Sequence, residues 1–121
     1  MKTILPLLLA FFVVLSTEAK DDLTARPIPD DERARLDLDD FYQKRVVVGG
    51  FSVVGSKKVS DYALSEAGYL IRQMMGKRDD LLTIMDVNKT RLAIMASDEY
   101  TTDVPEHADL YPPLYWDKRA R

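Results

Sequence analysis

Three observations predict an α+β fold: a small single domain with a central amphipathic helix over about residues 60–75 and two or three short strands, preceded by a flexible acidic arm. Ala63, Leu64, Ala67, Leu70, Ile71, Met74 and Met75 recur at helical spacing between Ser60 and Gly76. Phe51–Val54 and Arg91–Ala96 are short apolar runs flanked by polar or glycine residues, the pattern of buried strands. The chain has 121 residues, too few for two full domains. The predicted organisation is a leader over 1–19, an acidic arm over 20–37 and an α+β module over 38–121.

The leader comes first. Met1-Lys2-Thr3 is a short basic start, Ile4 to Leu15 is apolar apart from Pro6, and Ser16-Thr17-Glu18-Ala19 offers small residues for cleavage between Ala19 and Lys20. That order of basic, apolar and small segments defines a secretory signal peptide. A membrane span needs roughly 18–20 apolar residues to cross about 30 Å of hydrocarbon, more than this run provides. The expected product is a secreted, extracellular protein, free of the membrane once the leader is removed.

Lys20 to Asp40 holds eight acids and four bases. Arg26-Pro27-Ile28-Pro29 opposes helix and favours an extended course, so the segment reads as a solvated arm. Clustered carboxylates are hard oxygen ligands and suggest weak calcium binding, but Asp37, Asp39 and Asp40 lack the spacing and glycine of a calcium loop. Leu36, Leu38, Phe41, Tyr42, Arg45 and Val46 then suit one helical stripe with Gly49-Gly50 as its stop, which predicts a helix over Leu38–Val47. The β-branched run Val46-Val47-Val48 favours a rival, a hairpin that turns at the glycine pair.

The central helix has Ser60 as its N-cap, Asp61 in its first turn and Gly76 as its C-terminal stop. A shorter helix is expected over Asp79–Met85, then the strand near Arg91–Ala96. Asn88-Lys89-Thr90 between them matches the N-glycosylation sequon, and a secreted chain passes the compartment where Asn88 would be modified. Ser97–Pro113 has three prolines and no amphipathic period and reads as a long connection. Leu114–Arg121 begins a final helix.

Composition limits the chemistry. The net charge is −3, with no basic excess for nucleic acid, and there is no cysteine for metal, redox or disulfide chemistry. His107 is the single imidazole. A Ser–His–Asp system with Ser97 or Asp103 would lack any nucleophile elbow, and zinc normally takes several His or Cys ligands. Asp103, Glu106 and His107 are therefore weak metal candidates, set against an ordinary surface histidine. The glycines do not form a phosphate loop, so no cofactor is expected. Basic pairs at Lys44-Arg45, Lys57-Lys58, Lys77-Arg78 and Lys118-Arg119 suggest a precursor of secreted peptides, but the segments between them are patterned like a folded domain.

From Asp40 to Arg121 the sequence resembles the N-terminal region of a family of exported zincin-like metallopeptidase homologues. The matching residues are Gly49-Gly50, Val54-Gly55-Ser56, Val59-Ser60-Asp61-Tyr62-Ala63-Leu64, Glu99-Tyr100-Thr101-Thr102-Asp103-Val104-Pro105-Glu106-His107 and Tyr115-Trp116-Asp117-Lys118-Arg119-Ala120-Arg121. In that family the zinc-binding H-E-x-x-H helix lies downstream of this region. The resemblance implies an α+β segment that packs against a catalytic half, and it assigns no catalytic or metal residue here. Two explanations are expected for the missing motif: a record of the front of a longer zinc metallopeptidase, or a short form without catalysis of its own. A terminal helix without a cap favours the former. The functional expectation is a non-catalytic secreted module that acts on a protein partner. The alternative is a structural component of an extracellular, mineralising matrix.

Overall fold

A computed structural model describes residues 20–120, so the expected leader and Ala19 of the cleavage position lie outside the described residues. Among the described residues the fold is α+β, with four α-helices and one four-stranded mixed sheet of order β1-β2-β3-β4. β1 is Arg26–Pro27, β2 Lys44–Val48, β3 Phe51–Gly55 and β4 Arg91–Ile94; α1 is Asp30–Leu36, α2 Asp61–Met75, α3 Asp79–Val87 and α4 Pro113–Ala120.

β2 and β3 form an antiparallel hairpin that turns on Gly49 and Gly50, with φ of 53° and 88°. Positive φ at both positions is what a tight two-residue hairpin turn demands. A Cβ at Gly49 would also lie 2.7 Å from Leu82 Cδ1, so the turn is fitted against α3. The expected helix over Leu38–Val47 is corrected here. α1 ends at Leu36 with Asp37 in the left-handed region, and residues 38–43 run as a loop into β2. The valine run and the glycine turn outweigh the helical stripe, because Val46 and Val48 gain full burial as strand residues. Leu36, Leu38 and Tyr42 are still core residues, but Leu36 arrives from the end of α1 and the loop delivers the other two.

The acidic arm is corrected too. Residues 20–37 pack onto the domain instead of leaving it. Asp21 receives the Arg72 guanidinium at 2.6 Å, and Ser65 Oγ donates to the Leu23 carbonyl at 2.6 Å. Leu23 lies over Gly68, where a Cβ would be 3.0 Å from Leu23 Cδ2 and 2.9 Å from Val46 Cγ1. Pro27 occupies an edge strand, where its missing N–H costs nothing. α1 follows Pro29 with Asp30, Asp31 and Glu32 in its first turn, where the helix dipole favours negative charge. Glu32 is buried, paired with Arg45 and accepting from Ser52 Oγ at 2.7 Å. Asp21 and Glu32 thus answer arginines that are distant in sequence, which local composition does not reveal, while Asp30, Asp31 and Asp37 stay exposed.

α2 behaves as expected at its ends. Ser60 Oγ accepts from the Ala63 amide at 3.2 Å, and the Gly76 amide donates to the Arg72 carbonyl at 2.9 Å with φ of 57°. Its inner face presents Leu64, Gly68, Ala67, Ile71 and Met75 to Val46, Val48, Phe51 and Val53. Leu70 and Met74, expected in the same stripe, are instead 50% and 77% exposed. α2 and α3 together make the crossover from β3 to its parallel neighbour β4, and Leu82 of α3 completes this core layer. The other sheet face is covered by Ile28, Leu36, Leu38, Tyr42 and Val104 around Val54. Alternation along β3 explains the division, since Val53 and Val54 point to opposite faces.

Candidate functional site: a cleft where three loops meet

The expected long connection is ordered by its own polar side chains. Two 3-10 turns occupy Thr101–Asp103 and Pro105–His107. Asp103 Oδ2 accepts from the Tyr100 amide at 2.8 Å and closes the first turn. The Thr101 amide donates to Asp117 Oδ1 at 3.0 Å, which ties the turn to α4; both residues are buried. Glu106 accepts from the Tyr42 hydroxyl at 2.5 Å and pairs with Arg91. Burial opposes the charged form of Glu106, but Tyr42 and Arg91 outweigh it and hold this carboxyl below its ordinary value. The Tyr42 hydroxyl is correspondingly pushed upward, by burial first and then by the Glu106 carboxylate.

Glu99 is buried at the end of the stretch that follows β4. It accepts from Ser56 Oγ, and its second oxygen accepts from the Ala96 amide at 3.2 Å. Ser56 Oγ in turn accepts from the Lys58 amide at 3.2 Å. This chain of bonds joins the turn after β3 to the turn after β4. Losing one member of such a buried network is costly, because the partner left behind is unsatisfied.

These two turns and the loop before β2 surround a cleft of about 690 Å3. Asp40, Phe41 and Gln43 come from the loop, which is held by Arg33 donating to the Asp39 and Tyr42 carbonyls, both at 2.8 Å. Ser56, Lys57 and Lys58 form the second wall. Glu99 and Asp103 complete the third. The cleft lies at the C-terminal ends of the parallel pair β3 and β4, a position where open sheets with helical crossovers commonly receive ligands. Its size is within the range of small-molecule sites.

The three weak metal candidates do not come together. Asp103 caps a turn, Glu106 points to Tyr42 and Arg91, and His107 is exposed. Among the described residues no three His, Cys, Asp or Glu side chains converge in a way that could hold a metal ion. Asn88 is exposed at the C-terminus of α3, just before Lys89 with φ of 59°, so the sequon sits on an accessible turn. Sequence reading missed the cleft itself. Phe41 fits a helical stripe and Lys57-Lys58 a basic pair, and no local pattern links them to Asp103. Compared with family models, with curated proteins and with solved structures, the chain matches none.

Proposed function

We propose that the chain is a secreted α+β module without catalysis of its own, which acts by burying an apolar flank against a partner protein. The observation that supports this is the outer face of its helical layer. Leu70 and Met74 on α2, and Ile84 and Val87 on α3 at 56% and 73% exposed, stay outside the core in a domain small enough to need most of its apolar surface for folding. β4 lies at the sheet edge, and beyond its first residue, Arg91, it carries no charge or proline. The resemblance to the front of zincin-like metallopeptidase homologues fits this reading. In a longer form, a catalytic half bearing H-E-x-x-H would be the natural cover.

The matrix reading finds less support. Asp21, Asp22 and Glu32 are engaged by Arg72, Arg26 and Arg45, so calcium would have to compete with arginines for them. The peptide-precursor reading meets a similar obstacle, because Lys44-Arg45 lies within β2 and Lys118-Arg119 within α4. The test is binding of a hydrophobic fluorescent dye to the secreted protein, with Leu70→Glu/Met74→Glu as comparison. The dye is expected to bind the parent chain and to lose most of its fluorescence with the variant. Equal signals from both would remove the apolar flank as the basis of function, as would peptidase activity that disappears with His107→Ala.

A further inference from the structure

We infer that the cleft between the three loops binds a short peptide segment of mixed charge, with its acidic side chain toward Lys57 and its basic side chain toward Asp40 and Asp103. The site is separate from the apolar flank, and the inference does not rest on the function proposed above.

The charges that line the cleft differ in how far they are already used. Lys58 pairs with Asp98 at 3.3 Å. Lys57 has no ion-pair partner among the described residues, although three carboxylates line the same cleft. The Asp40 side chain is 99% exposed and reaches Arg33 only at 3.9 Å. Asp103 uses one carboxylate oxygen on the Tyr100 amide. With Lys58 neutralised by Asp98, the groups left for a ligand are one ammonium and two carboxylates. A purely anionic ligand would meet Asp40 and Asp103, and a purely cationic one would meet Lys57. A dipolar chain satisfies both.

Phe41 adds an apolar contact. Its ring is partly buried, stacked edge-on against Tyr42 at 5.4 Å, and therefore fixed in place. An aromatic surface flanked by opposite charges suits the aliphatic stems of Lys, Arg or Glu side chains. The walls are also set before any ligand arrives. The Phe41 amide donates to Asp39 Oδ1 at 2.8 Å, the Gln43 amide donates to the Gly55 carbonyl at 2.9 Å, and the Ser56–Glu99 bond fixes the other two loops. Prearranged walls reduce the ordering cost of binding.

The test is an NMR titration of the mature chain with the tripeptide Arg-Ala-Glu, blocked at both ends so that only side chains carry charge. Saturable shifts are expected at the amides of 40–43, 56–58 and 99–103. Gln-Ala-Gln, blocked in the same way, is expected to give no saturation. Lys57→Glu should weaken the charged tripeptide by about tenfold, the scale of one lost charge contact, and Asp40→Lys should do likewise. Both substitutions are at exposed positions, and a dispersed amide spectrum verifies that the variants fold. Failure of Arg-Ala-Glu to saturate at millimolar concentration, equal binding of both tripeptides, or indifference to Lys57→Glu would each overturn the inference.

Discussion

Replacing Ser56 by Ala tests whether the buried bond between the turns after β3 and β4 holds the two together. Ser56 and Glu99 are 4% and 2% exposed, so water cannot easily replace the lost hydroxyl. The substitution removes a donor to the Glu99 carboxylate and an acceptor for the Lys58 amide. A hydrogen bond to a charged group contributes roughly 1.5–3 kcal/mol, and a buried partner left behind carries its full desolvation cost. Ser56→Ala should therefore cost about 2 kcal/mol, equivalent to roughly 8–12 °C in Tm for a domain of this size. Glu99→Met removes the carboxylate but also the acceptor of the Ala96 amide, so the double variant Ser56→Ala/Glu99→Met should cost less than the sum of its two single variants, because the bond they share can be lost only once. Urea denaturation of the parent, single and double variants measures this, with exposed Ser97→Ala as control and expected within about 0.5 kcal/mol of the parent. A single variant as stable as the control, or a double variant less stable than the sum of its parts, would refute the reasoning.

Other outcomes follow from the same structure. Gly68→Val should cost about 1–3 kcal/mol by overpacking, since its Cβ would press on Val46 Cγ1 and Leu23 Cδ2. Thermal unfolding would show the loss. Asp117→Ala leaves the buried Thr101 amide without its acceptor and should cost about 1–3 kcal/mol, with faster hydrogen exchange in residues 101–107. Acid should also destabilise the fold. Arg72 holds Asp21 below its ordinary 3.8, and Tyr42 with Arg91 hold Glu106 below 4.5 despite burial. Both folded values are depressed, so this stability is present above the unfolded values and is lost as pH falls through the folded ones. A denaturation series below pH 4.5 should show the decline, and Glu106→Gln should make it shallower.

Much of the fold was legible where local signals agreed. Around α2 the Ser60 cap, the apolar period and Gly76 all point the same way, and both ends fall where they predict. β4 and α3 were legible for similar reasons. The failures share a physical cause, which is long-range pairing. The Leu38–Tyr42 segment has a helical spacing of apolar residues, yet it serves as a loop because Val46–Val48 gains more from pairing with Phe51–Val53. Asp21 and Glu32 read as solvated because their partners Arg72 and Arg45 are far away in sequence. Leu70 and Met74 fit the helical stripe but lie at its margin, outside the line of Leu64, Ala67, Ile71 and Met75 that meets the sheet. The motif Glu99–His107 stood out as unusual, and its roles became clear only in three dimensions. Glu99 reaches Ser56, Thr101 reaches Asp117, and Glu106 reaches Tyr42 and Arg91. The cleft between these bonds draws on three separate loops and leaves no signature in any one of them.

The intact mass and terminal sequence of the protein recovered from the medium of expressing cells test the proposed secreted role most directly. The account predicts a chain that begins at Lys20, with an added glycan mass at Asn88 that Asn88→Gln removes when the host is eukaryotic. A chain that stays in the cells and still begins at Met1 would contradict it.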